Sequence, residues 1–97
     1  MISTHILDTS CGEPASDVPV SLEIRQGDNW QMIQESQTNK DGRIAFNCES
    51  NPGVYRLLFS VADYFEAKQI EHFFLKTPVV FKVSDTNRKY HVPLLVN

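Results

Sequence analysis

The chain predicts an all-β domain of the sandwich or barrel kind carrying one short helix, and three observations lead there. Most of its length is short segments in which apolar and polar residues alternate, the period of a half-buried strand. Those segments are separated by Gly, Pro, Asn and Asp clusters at close intervals, which is turn punctuation rather than the spacing of helices. Only one stretch, near Asp63, carries a helix-start signal, and no internal repeat or low-complexity tract interrupts the pattern.

The first strand runs near Ile2 to Asp8. Successive side chains of a strand point to opposite faces, so Ile2, Thr4 and Ile6 share one face while Ser3, His5 and Leu7 share the other. Cys11-Gly12-Glu13-Pro14 makes the turn that follows. Val18, Val20, Leu22 and Ile24 then alternate with Ser21, Glu23 and Arg25 in a second half-buried strand, and Gln26-Gly27-Asp28-Asn29 turns the chain into a strand from Trp30 to about Ser36. After Lys40-Asp41-Gly42, a short strand points Ile44 and Phe46 inward and Arg43 outward. Asn51-Pro52-Gly53 precedes a strand from Val54 to Ser60 with Tyr55, Leu57 and Phe59 inward. Asp63 followed three residues later by Glu66 fits a reciprocal cap, which predicts a helix over Tyr64–Glu71. Val79, Phe81 and Val83 alternate with Val80 and Lys82 in the next strand. In the last, Lys89 to Val96, residues Tyr90, Val92, Leu94 and Val96 face one way and Lys89, His91 and Pro93 the other.

At 97 residues the chain is expected to form one domain, 1–97, with a single two-layer core. Hydrophobic residues at 41% and charged residues at 22% are in the globular range, so a folded chain is expected. A net charge of −3 without any basic stripe argues against a nucleic-acid partner, because binding phosphates requires neutralising them. No apolar run reaches the ~20 residues of a membrane span, and the start lacks the basic, apolar and small-residue sections of a secretory signal; the expectation is a cytoplasmic protein with no membrane partner. Cys11 and Cys48 are too few for a disulfide framework and have no metal-ligand spacing with any histidine, so both are expected as reduced, separate thiols, with Cys48 buried in alternation after Ile44 and Phe46.

Three compact motifs carry the chemistry-bearing residues: STHILDT at Ser3–Thr9, TNKDGR at Thr38–Arg43 and KYHVPLL at Lys89–Leu95. Strand alternation turns His5, Arg43 and His91 away from the core, which displays two titratable bases and one permanent cation. Taken singly, each has a plain alternative: an outward strand histidine as solvated surface, or Arg43 as a turn-flanking cation. Ser3 shares the His5 face but lacks the histidine–acid pairing that activates a serine nucleophile, so hydrogen bonding is the most it offers. His72 lies in no motif and reads as structural or solvated. Tyr64-Phe65 and Phe73-Phe74 read as core packing around the helix.

In this order and spacing the three motifs resemble the transthyretin family, and specifically its hydrolase branch, the 5-hydroxyisourate hydrolases. The resemblance extends to Gly12-Glu13-Pro14-Ala15, to the single helix after Tyr55–Ser60, and to Thr77-Pro78-Val79-Val80-Phe81 leading into the last strand. It implies a two-sheet transthyretin-like β-sandwich with one short α-helix, assembled as a homotetramer, a dimer of dimers with sites between dimers. Hormone carriers of the family have lysine at the place of His5 and threonine at that of His91, so the resemblance points to the hydrolase, with His5, Arg43 and His91 as the catalytic set. Where the hydrolases usually have His-Tyr-His, this chain has Lys89-Tyr90-His91, and Lys89 is expected to help hold an anionic substrate together with Ser3. The family continues into a further strand closing with Tyr-Arg-Gly-Ser that the 97 residues do not include; the domain is therefore expected without that strand, its Lys89–Val96 strand left with an edge open to another chain.

The implied reaction is hydrolysis of 5-hydroxyisourate, a planar purine-derived ring, to 2-oxo-4-hydroxy-4-carboxy-5-ureidoimidazoline in urate catabolism. One histidine takes a proton from the attacking water and the other returns one to the leaving nitrogen, which of the two being open. Arg43 faces the developing oxyanion, where losing one such donor typically costs ~3 kcal/mol. No cofactor is required, and two histidines without carboxylate or thiolate partners at ligand spacing make a poor metal site. The alternatives are a noncatalytic small-ligand binding module of the same fold and a plain structural sandwich.

Overall fold

The computed structural model describes residues 1–47, 51–72 and 74–96. Among these described residues eight strands and one helix follow in the order β1 (Ile2–Asp8), β2 (Glu13–Pro14), β3 (Pro19–Gln26), β4 (Asn29–Gln37), β5 (Arg43–Phe46), β6 (Gly53–Phe59), α1 (Val61–Ala67), β7 (Thr77–Val83) and β8 (Tyr90–Val96). The all-β expectation holds, and the strands divide into two four-stranded sheets.

In the first sheet β1 is central. One of its edges is shared by β5, antiparallel over Ile2–His5, and by β2 over Leu7 and Asp8; along its whole length β8 pairs with it in parallel. The second sheet runs β4-β3-β6-β7, all antiparallel, with a register shift between Leu22 and Glu23. Ile2, Ile6, Ile44, Phe46 and Val96 of the first sheet meet Val20, Leu22, Tyr55, Leu57, Phe59 and Val83 of the second, all buried, and Ile24, Val79, Phe81, Tyr90, Val92 and Leu94 pack half-buried against them. Burying this set removes apolar area from water at roughly 25 cal/mol per Å², the main favourable contribution to the fold.

The helix begins three residues earlier than predicted and ends four earlier. Val61, Tyr64 and Phe65, at i, i+3 and i+4, form its buried stripe, and this stripe outweighs the Asp63/Glu66 cap; Asp63 sits in the first turn instead of preceding it. Its end is set by Gln69 in the left-handed region at φ 58°, with Gln69 N–H donating to the Glu66 carbonyl and Ile70 N–H to that of Phe65, a Schellman closure. Tyr64 and Phe65 pack in the core as expected, their rings 5.1 Å apart edge to face. Phe74 does not, being 63% exposed, while the expectations for Phe73 and Cys48 fall outside the described residues. Cys11 is an exposed free thiol.

A carboxylate lies within this interior without having been anticipated. Asp8 is fully buried at the end of β1, where Tyr64 Oη donates to Oδ2 at 2.7 Å and the Ser10 amide to Oδ1 at 3.0 Å. Burial alone would raise its carboxyl, but hydrogen bonds from the Ser10 side chain, Tyr64 and the Ser10 backbone together outweigh it and hold the group below the usual carboxylate range. This contact ties α1 to the first sheet.

Candidate active site

The pairing register of β5, β1 and β8 assembles the three motifs. On the outward face His5 stands directly opposite Arg43, and Ser3 stands directly opposite His91. Arg43 and His91 therefore flank β1, about two interstrand spacings of ~4.8 Å apart laterally and one same-face step of ~6.6 Å along the strands. His5 is half-buried, Arg43 and His91 are exposed, and all three share one sheet face. Two of the three also line an open depression of about 260 Å³ together with Ser3, Thr4, Asn39, Ile44 and Ala45; His5 borders this group through its pairing with Arg43 and is not part of the lining.

Local chemistry explains why Arg43 arrives at this place. Asn39 Oδ1 accepts from the amides of Asp41 at 2.9 Å and Arg43 at 3.0 Å, an Asx-type turn that closes the loop. Gly42 at φ 72° lets the loop touch β1: the Ile6 amide donates to the Gly42 carbonyl at 2.8 Å, and a Cβ at Gly42 would sit 2.5 Å from the Ile6 carbonyl oxygen. Thr38 anchors the base of the loop, its buried hydroxyl donating to the Ala15 carbonyl at 2.7 Å and accepting from the Val18 amide at 2.9 Å. The second motif is thus a device for delivering one arginine to the edge of β1.

Arg43 makes no ion pair among the described residues. The contrast with Arg56 is instructive: on the outer face of the second sheet Arg56 sits 2.8 Å from Glu23 and 4.5 Å from the Trp30 ring centre, so its charge is already engaged. An exposed guanidinium without a carboxylate is available to an anionic or electron-rich ligand.

The imidazoles differ in the same way. His91 Nδ1 lies 2.9 Å from Ser3 Oγ, whereas no side-chain hydrogen bond to His5 is made among the described residues. The Ser3 hydroxyl thus lines the depression while in hydrogen-bond contact with His91. Lys89 is exposed, precedes β8 by one residue and does not line the depression. Asn39, which does line it, was contained in the second motif but not singled out; an Asn three residues before Gly in a turn is the signal that marks it. His72 is tied to its own segment by contacts with the Ile70 carbonyl at 3.2 Å and Glu66 at 3.7 Å, and is stacked on Phe65, in keeping with a structural role. Among the described residues no three His, Cys, Asp or Glu side chains group as metal ligands, and no helix is long and apolar enough to cross a membrane.

Comparison with known proteins extends this picture. The 5-hydroxyisourate hydrolase of Salmonella typhimurium is 41% identical over 100 residues, spanning 100% of this chain and 74% of that protein. The structure of Klebsiella pneumoniae 5-hydroxyisourate hydrolase superposes with a TM-score of 0.85 at 33% identity, covering 98% of this chain and 87% of that one. Sea bream transthyretin in complex with thyroxine superposes at 0.91 but with 27% identity, covering 99% and 86%. Backbone shape alone does not separate the two kinds of relative, since the higher TM-score goes with the lower identity. A family model described as HIUase/Transthyretin family matches residues 2–97, and the chain belongs to that family.

Proposed function

We propose that the chain is a 5-hydroxyisourate hydrolase, opening the substrate to 2-oxo-4-hydroxy-4-carboxy-5-ureidoimidazoline. The observation that carries the reading is the single outward face on which His5 pairs with Arg43 and His91 stands one strand away. Relatives bearing that name match the full length of the chain.

The assigned roles follow from the chemistry of the groups. Water attacks a ring carbonyl carbon, a C–O bond forms, and one imidazole takes the water proton. The carbonyl oxygen gains negative charge, which Arg43 stabilises as a fixed cation. The ring C–N bond then breaks, and the other imidazole delivers a proton to the departing nitrogen. Imidazole is the side chain suited to both taking up and giving up a proton in neutral solution, so two histidines can supply the base and the acid. All of these steps use the chain's own side chains.

The proposed assembly is a homotetramer, a dimer of dimers. It is supported by the openness of the depression and by Leu95, 68% exposed on the outward face of β8, an apolar side chain that a second copy would cover. A cytoplasmic location completes the proposal. The test follows the ultraviolet decay of freshly generated 5-hydroxyisourate: wild type accelerates it and His91→Ala retains only a small, measurable fraction of that acceleration, with light scattering giving the mass of the active species. Decay no faster with wild type than in buffer alone would refute the assignment.

A further inference from the structure

We propose that Ser3 is a positioning residue for His91, accepting a hydrogen bond from Nδ1–H and leaving Nε2 as the nitrogen that handles the proton. The proposal rests on the hydrolytic reading given above and specifies which atom of the site acts.

His91 is an exposed side chain on an open sheet face, so packing does little to fix its ring rotation. Its hydrogen bond to Ser3 Oγ, 2.9 Å from Nδ1, is the one side-chain hydrogen bond it makes among the described residues. That bond is built into the fold, because Ser3 and His91 are direct partners in the parallel pairing of β1 and β8, with their side chains on the same face. The partner is held from behind as well: Thr4 Oγ1 donates to the Val92 carbonyl at 2.6 Å, fixing the two strands at the next residue.

A serine hydroxyl can either donate to a ring nitrogen or accept from it, and the two arrangements have different consequences. Donation to Nδ1 would put the ring proton on Nε2 in the neutral form, and protonation of Nδ1 would then require the hydroxyl to turn over. Acceptance from Nδ1–H leaves Nε2 bare in the neutral ring and protonated in the cation, with the serine contact unchanged in both. Only the second arrangement lets the imidazole gain or lose a proton at the depression without breaking its own support. It serves a base or an acid equally, and it gives His91 a fixed tautomer that His5, lacking such a partner among the described residues, does not share.

The experiment combines kinetics with nitrogen-15 NMR of the histidine rings in the intact protein. Ser3→Ala is expected to lower kcat about ten- to a hundredfold with little change in KM, as expected when a reacting group is misaimed. Ser3→Thr, which keeps the hydroxyl, is expected to recover most of that loss, and Ser3→Ala added to His91→Ala is expected to have no further effect. The ring signals of neutral His91 should report Nδ1–H in wild type and a shift toward the Nε2–H form in Ser3→Ala. A rise in KM with kcat unchanged would instead make Ser3 a substrate contact, and losses that multiply in the double variant would make it independent of His91; either result overturns the proposal. An identical His91 tautomer in wild type and Ser3→Ala does so too. If wild type fails to hydrolyse the substrate, the functional reading falls while the NMR comparison still decides the Ser3–His91 link.

Discussion

Strand β1 carries two kinds of polar residue only three positions apart. His5 lies on its outward face, half-buried and free of side-chain hydrogen bonds among the described residues; Asp8 lies on its inward face, fully buried and bonded to Tyr64 and Ser10. Strand parity alone separates them. A polar group left without protein partners at the surface retains its capacity for a ligand, whereas one enclosed in the core has spent that capacity on the fold and is costly to disturb. The two faces of β1 should therefore respond oppositely to mutation.

The largest effect is expected on the outward face. His5→Ala should lower kcat/KM by on the order of 10²–10⁴ while the urea midpoint stays within about 0.5 kcal/mol of wild type; a large loss of stability would erase the distinction. On the inward face, Asp8→Asn should cost about 1.5–3 kcal/mol of stability, read from the urea midpoint at pH 7, with kcat of the folded fraction nearly intact. The sign of its pH dependence is fixed: because the folded carboxyl lies below its unfolded value of ~3.9, its stabilisation is fully present above that pH and fades as pH falls through the lower folded value. Acid titration of stability should be steeper for wild type than for Asp8→Asn.

Gly42→Ala lies between these cases and sharpens the comparison, since it alters the fold at the point where the fold delivers a catalytic candidate. The positive φ and the 2.5 Å approach to the Ile6 carbonyl should cost about 1–3 kcal/mol, and any folded protein should show reduced kcat because Arg43 no longer meets His5. The smallest effect is expected for Lys89→Ala. As an exposed cation outside the depression, Lys89 should change KM less than about threefold, an effect that vanishes in high salt.

Much of this was legible from the residues alone. The period-2 alternation identified the inward faces of β1, β3, β5, β6, β7 and β8, because each of those strands turns one apolar face toward the core, half-buried over most of β7 and β8, and a one-residue slip would turn that set to solvent. The outward placement of His5, Arg43 and His91 followed from the same count. What escaped notice depended on tertiary neighbours. The helix start moved because the stripe of Val61, Tyr64 and Phe65 has a core to face, which outweighs a local cap. Asp8 at a strand end reads like any turn-favouring aspartate until Tyr64 arrives from 56 residues away. Phe74 resembled a core aromatic by type, yet the sheets close without enclosing it. Which partner Ser3 would meet depended on the register of β1 with β8, and no local pattern encodes a parallel pairing between distant strands.

That pairing joins residues 88 positions apart in the chain. Closing so long a loop is entropically unfavourable until the intervening strands have collected around it, so the Ser3–His91 contact is among the slowest to become worthwhile during folding. Turnover would then serve as a built-in indicator of completed maturation: in a refolding time course, far-ultraviolet signal should return before activity does, with no interval in which an incompletely assembled sandwich processes substrate.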